Sequence, residues 1–216
     1  MSRVYLLVEG QTEEAFVNEL LVSPYAARGL YLTPIIVRTS PGHRGGVVSY
    51  AKIRPQIERL CKQDPAACVT TLFDLYALPE DFPGKRDVRY PVQGAGWQKA
   101  VFLERALAKD VAQQNFIPHL FVHEFEALLL VDIAAFKPWT DDDDVLEPLM
   151  ALRRKAEPEE INDGPGTAPS KRILAVWPQY QKTFHGPIIA GEIGLDRIRG
   201  ACPHFSGWLD KLEALP

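Results

Sequence analysis

The chain opens on a short apolar run, Val4-Tyr5-Leu6-Leu7-Val8, that stops abruptly at an acid and a glycine, Glu9-Gly10. A continuous β-branched and aromatic run of this length predicts a strand buried on both faces, as in a parallel sheet. Thr12 is placed to cap a following helix, and Glu13 and Glu14 fall in its first turn, where negative charge suits the positive end of the helix dipole. Phe16, Val17, Leu20 and Leu21 then recur at helical spacing until Ser23-Pro24 and Arg28-Gly29 break the pattern. Leu32 to Val37 predicts a second strand, with Pro34 assigning it a late start or an edge position. A third strand, Cys68 to Leu75, carries the acid Asp74 at its end. A fourth, Phe116 to Val122, runs into His123-Glu124-Phe125-Glu126.

Between the strands the pattern predicts helices over 47–62 and 97–113, and an apolar helix from Ala127 to Phe136 follows. In the 97–113 helix Val101, Leu103, Ala106, Leu107 and Val111 form the apolar face, and Lys99, Glu104, Arg105 and Lys109 the polar one. Alternating strands and helices predict an α/β unit with a parallel sheet over 1–135. Residues 136–216 read as a mainly helical C-terminal extension. In it Ser170 caps a helix through Ile173, Leu174 and Trp177, an apolar helix covers 188–193, and Ile198, Cys202, Phe205, Trp208 and Leu209 within 195–212 read as packing residues. The Pro- and Gly-rich stretch near 157–169 reads as a mobile loop. Asp141 to Asp144 lacks the spaced ligands and glycine of a calcium loop and reads as a solvated helix start.

Composition changes this picture little. The 216 residues carry a net charge of -4, with 46% hydrophobic and 24% charged residues, an ordinary globular balance. Mild acidity argues against a sequence-independent nucleic-acid coat and leaves room for an enzyme acting on nucleic acid. Cys61, Cys68 and Cys202 have no metal-ligand spacing; with no leader pattern and no apolar run near the ~20 residues of a membrane helix, a cytoplasmic protein is expected.

The chemistry lies in the strand ends. If the strands are parallel, Glu9, Asp74 and the 123–126 segment arrive at one edge of the sheet, where open α/β folds bind ligands. Carboxylates from separate rigid elements are what a hard divalent ion requires. His123, Glu124 and Glu126 could instead form a zinc set, although their spacing matches no standard zinc motif, and Glu126 could be a helix-start charge. Thr39 to Gly46 is a glycine-containing loop with a basic pair, His43-Arg44, that could present amides to a phosphate; it lacks the P-loop's ending. Lys182 and His185, in a locally basic tail, are candidates to reach the acidic edge.

Leu7-Val8-Glu9-Gly10-Gln11-Thr12-Glu13 resembles the first block of the Toprim domain shared by topoisomerases, primases and the overcoming-lysogenization-defect (OLD) nucleases. The nearest likeness is to a bacterial Toprim-like family related to those nucleases and often encoded beside an ATPase. Phe73-Asp74-Leu75-Tyr76-Ala77-Leu78-Pro79, His123 to Leu128 and Pro178 to Lys182 look like that family's blocks. The resemblance implies a Rossmann-like parallel sheet in which Glu9 and Asp74 bind Mg²⁺ (or Mn²⁺), with Glu13 as the additional acid of the nuclease branch. It implies a magnesium-dependent nuclease, a hydrolase acting on nucleic acid in bacterial defence with an ATPase partner. Glu9, Asp74, Glu124 and Lys182 would be catalytic, and Arg44, Tyr76, His123, Lys182 and His185 would contact substrate. Tyr76 stands where the family's Asp-x-Asp has its second acid, so Glu13, Asp81 or Glu124 must complete the metal shell, or the fold is a degenerate binding module that acts only in complex.

Overall fold

Strand β1 (Ser2–Val8) lies in the middle of a parallel sheet and pairs on one side with β2 (Leu30–Ile36) and on the other with β5 (Cys68–Asp74). This structure, a computed structural model, describes all residues except 41–42, 45–48 and 162–166, with the side chains of 39, 40, 43, 44 and 77 also outside the description. Beyond β5 lie two short strands, β6 (Phe116–Ile117) and β7 (Leu120–Phe121), both parallel to it. The expected fourth strand is therefore broken. Pro118 has no N–H for the ladder. At His119 the Thr71 hydroxyl replaces the ladder, accepting from His119 N at 3.0 Å and donating to His119 O at 2.9 Å. A small antiparallel pair, β3 (Arg38–Ser40) and β4 (His43–Arg44), follows β2.

Side chains alternate across the sheet, and both faces are covered. Val4, Leu6, Val8 and Leu72 face one core, which contains α1 (Gln11–Phe16) and the C-terminal helices. Leu7, Val69 and Phe73 face the other, with α3 (Tyr50–Gln63) and α4 (Gly96–Val111). Double coverage is why these strands read as unbroken apolar runs. The C-terminal helices are α5 (Asp143–Arg153), α6 (Pro169–Val176), α7 (Lys182–Ile193), α8 (Leu195–Ala201) and α9 (Pro203–Glu213). Among the described residues no helix is long and apolar enough to cross a membrane.

Several boundaries differ from expectation for physical reasons. The first helix does not stop at Ser23-Pro24. It continues through a π turn, Val17–Leu21, into α2 (Val22–Ala26), and the widened turn precedes the proline that lacks an N–H. Gly10, not Thr12, is its N-cap; Thr12 is buried in the first turn. Strand β2 begins early, at Leu30, and is an edge strand that among the described residues pairs in the sheet with β1 alone, the edge position being the one Pro34 tolerates. The apolar stretch after Glu126 forms 3-10 turns, Phe125–Val131 and Ile133–Phe136, in place of an α-helix. Asp132 separates them, its side chain accepting from Ala134 N at 3.0 Å. The 188–193 helix starts earlier, at Lys182, and the packing residues of 195–212 lie on two helices, α8 and α9, that meet at Cys202-Pro203. Asp142 caps α5 through Asp144 N, as a solvated helix start should. The loop near 157–169 lies partly, and the Gly42 to Gly46 loop largely, outside the described residues.

The order β2-β1-β5-β6 places the site. From β1 the chain moves one way to β2, and from β5 the other way to β6 and β7. Between β1 and β5 the connections diverge, which is the topological switch point where open α/β sheets leave a crevice beyond the strand ends. Glu9 follows β1 and Asp74 ends β5, so both belong to that crevice.

Candidate metal centre

Glu9 and Asp74 meet directly. Glu9 Oε1 accepts from the Asp74 backbone N–H at 2.7 Å. Asp74 Oδ1 in turn accepts from Phe125 N at 3.0 Å. Glu124 Oε1 accepts from Ser170 N, near the start of α6, at 2.5 Å. Three carboxylates from three strand ends are thus each oriented by a backbone amide through one oxygen, which leaves the other oxygen for a ligand. Outer hydrogen bonds of this kind fix the direction of metal-ligating groups. Glu13 is also buried, its carboxylate over Gly10 on the first turn of α1.

A fifth acid completes the group. Glu126 is 0% exposed and pairs with Lys182 Nζ at 3.1 Å. Lys182 Nζ also lies 3.9 Å from Asp74 Oδ2, while its side chain is 40% exposed. Glu126 does lie in the first turn of the 3-10 element Phe125–Val131, but buried and paired with Lys182. Its signal in the sequence is a charge inside the apolar run Phe125 to Leu130, a placement that is costly unless the charge has a partner.

Helix α7 delivers the lysine, and Gly186, one turn along, lets it approach. A Cβ at Gly186 would stand 2.9 Å from the Phe125 ring and 3.1 Å from the Tyr180 hydroxyl. Gly186→Ala is expected to push α7 outward and cost about 2 kcal/mol by overpacking, read as a lower urea midpoint with an unchanged m-value.

The electrostatics match a site that wants a cation. Burial raises the Glu9 carboxyl to about 8, aided by Glu13 and opposed by the Asp74 amide and Lys182. Asp74 and Glu13 are raised too, mainly by burial, and Glu126 is raised to about 7 by burial against the pull of Lys182. Burial alone would lower the Lys182 ammonium, but Glu126, Asp74 and Glu124 outweigh it and hold it above its ordinary value. These carboxyls bind protons more tightly folded than unfolded. Their stabilisation is full below the unfolded value of 4.5 and is lost as pH rises through about 7 for Glu126 and about 8 for Glu9. Metal-stripped protein should therefore lose about 2 kcal/mol between pH 6.5 and 8.5, measured by urea unfolding at each pH. That window lies above the range where His119, pushed down to about 4 by burial, contributes the opposite slope.

The remaining candidates divide. His123 has a left-handed backbone (φ 70), turning the chain so that Glu124 and Phe125 enter the site. Its Nε2 contacts Glu159 O at 3.1 Å, and its ring packs over Gly96, where a Cβ would come within 2.6 Å. His123, Glu124 and Glu126 therefore do not form a zinc set, because the imidazole faces the Glu159 backbone. Tyr76 is 42% exposed, with its N–H donating to His123 O at 3.0 Å. His185 Nδ1 accepts from Gln181 N at 2.8 Å, and its ring packs among Trp139, Trp177, Tyr180 and Phe184. That seat is in an aromatic cluster rather than against the carboxylates. Asp81 is no ligand: it accepts from Ser49 Oγ, Tyr50 N and Ala51 N and caps α3. The side chain of Arg44 lies outside the described residues.

A second group joins Glu104, on the polar face of α4, to His119 and His204, neither of which the sequence pattern singles out. Glu104 is buried, and its Oε1 lies 2.9 Å from His204 Nε2 and 3.4 Å from His119 Nδ1. Hydrogen bonds from both histidines hold the carboxyl down to about 2 against the effect of burial. Together Glu104, His119 and His204 form a group that could hold a metal ion. It escaped the pattern because Glu104 and His204 are a hundred residues apart and meet only when α9 docks on α4.

Comparison with curated proteins gives no match, and neither does comparison with solved structures. A family model described as Domain of unknown function (DUF4276) matches residues 8–213, nearly the whole chain, and the protein belongs to that family.

Proposed function

We propose that the protein is a Mg²⁺- or Mn²⁺-dependent nuclease of Toprim-like type, with Glu9, Asp74 and Glu13 holding the ion. The observation that carries this reading is the amide-oriented pair Glu9 and Asp74 at the switch point, with further buried acids around them. The donor set is all oxygen and comes from rigid strand ends, which fits a hard divalent ion that retains waters and a substrate phosphate. Such an ion, when bound, supplies Lewis-acid polarisation of the phosphate and a water of lowered pKa. Glu124, or Glu13, completes the shell or takes the proton from the attacking water. Glu126, wholly buried, pairs with Lys182 and is not counted among the ligands of the ion. Lys182, half in solvent, meets the charge that develops on the phosphate. Tyr76, exposed beside the site, contacts the substrate strand.

The test is incubation of purified protein with plasmid and with single-stranded DNA and RNA, with and without Mg²⁺ or Mn²⁺. Metal-dependent cleavage is expected; its absence from every substrate removes the reading for the isolated chain. Tyr76 in the place of an acid favours a second reading, a binding module of the same fold that acts only with an ATPase encoded nearby, in the cytoplasm of a bacterium and in defence. Tight binding of that ATPase with no Mn²⁺ binding in calorimetry would select it.

A further inference from the structure

We propose that Glu104, His119 and His204 form a separate site for a divalent transition metal of the zinc class, clamping α9 onto the sheet. The donors are two imidazoles and one carboxylate, a set suited to zinc and unlike the all-oxygen set of the acidic crevice. Their spacing fits. Ligand atoms about 2.0–2.1 Å from a tetrahedral ion stand about 3.3 Å apart, and here His204 Nε2 and His119 Nδ1 lie 2.9 and 3.4 Å from the same oxygen, Glu104 Oε1. One ligand atom from each of the three lies within 4.8 Å of the others.

Each ligand is held by its own surroundings. Glu104 Oε1 also accepts from Leu120 N at 2.9 Å. His119 is fixed by the Thr71 hydroxyl through its backbone, and its ring stacks on Trp208 at 4.7 Å and on His204 at 5.1 Å. Its Nε2 has no hydrogen-bond partner among the described residues; a metal at Nδ1 would take the place of the proton that faces Glu104 and leave the ring proton on Nε2. His204 N donates to Glu159 Oε2 at 2.9 Å, which anchors the first turn of α9. The three ligands come from α4, the β6–β7 break and α9, so an ion here ties the C-terminal helix to the sheet. The site faces a groove of about 370 Å³ that Arg105 and Lys211 also line, leaving a fourth position for water.

The test uses the full chain, stripped with chelator and titrated with Co²⁺ and then Zn²⁺. One Co²⁺ per chain should give the visible bands of a four-coordinate N/O site. Zn²⁺ should displace it and raise Tm by about 5 °C or more. The bands should vanish in His204→Gln and persist in Glu9→Gln, which separates this site from the acidic crevice. Zinc X-ray absorption of the wild-type chain, which requires no variant to fold, should count two imidazoles. No four-coordinate cobalt signal, a signal retained in folded His204→Gln, or a zinc shell without two imidazoles overturns the proposal.

Discussion

Glu9→Gln should abolish metal-dependent cleavage, by about 10³-fold or more, while leaving the protein at least as stable at pH 8. The two halves of this result have one cause. Glutamine keeps the size of the side chain and an oxygen to accept from Asp74 N, so the strand ends stay in register. What it removes is a buried negative charge beside Glu13 and Asp74, disfavoured in the folded state without a cation. Removing it relieves repulsion and raises stability above about pH 7. In the proposed reading the same charge binds the ion, and losing several kcal/mol of Lewis-acid stabilisation corresponds to about 10³-fold in rate. Asp74→Asn should behave alike, because its amide oxygen still accepts from Phe125 N. Activity assays paired with urea unfolding check both halves. A variant that loses activity by unfolding would show reduced stability, and one that remains active would remove Glu9 from the metal shell.

Lys182→Met should have the opposite stability signature. Glu126 is wholly buried and has Lys182 as its ion-pair partner, so removing the ammonium strands a buried charge. Breaking a fully buried pair costs about 3–5 kcal/mol; with Lys182 itself 40% exposed, about 2 kcal/mol is expected at pH 8. At pH 5, below the raised value of Glu126, the carboxyl is protonated and the cost should largely disappear. Cleavage should fall by about 10²-fold or more if the ammonium meets charge on the phosphate. Unfolding curves at pH 5 and pH 8 separate this role from simple packing, since a packing defect would cost the same at both.

Much of this arrangement can be read along the chain because it is local. The apolar run ending in Glu9-Gly10, and the run ending in Asp74, are strand-end acids visible from pattern alone, and parallel pairing brings them to one rim. Lys182 was legible only as a basic residue in the tail. Nothing in the sequence specifies that Gly186 lets α7 close on Phe125. A helix-start position for Glu126 is legible and correct, but its burial is not, because a 3-10 turn buried on all sides has no amphipathic rhythm to show which way its first charge faces. The Glu104–His119–His204 group shows the other limit. Its members lie on a helix, at a proline-broken strand and in the C-terminal helix, and no periodicity links them. Where the chain departs from strand rhythm at Pro118, the distant Thr71 hydroxyl supplies the hydrogen bonds of His119, which local pattern could not anticipate; at Pro24 and Asp132 the adjustment is local, a π turn and an Asp132–Ala134 hydrogen bond.

In the proposed reading Glu9 and Asp74 share one cation at the β1–β5 crevice. Crystals soaked in Mn²⁺ and measured at the manganese edge test it most directly. An anomalous peak is expected within coordinating distance of the free carboxylate oxygens of both residues, with Lys182 displaced from Asp74 or facing the ion's far side. No peak between Glu9 and Asp74 in crystals that bind manganese elsewhere would contradict it.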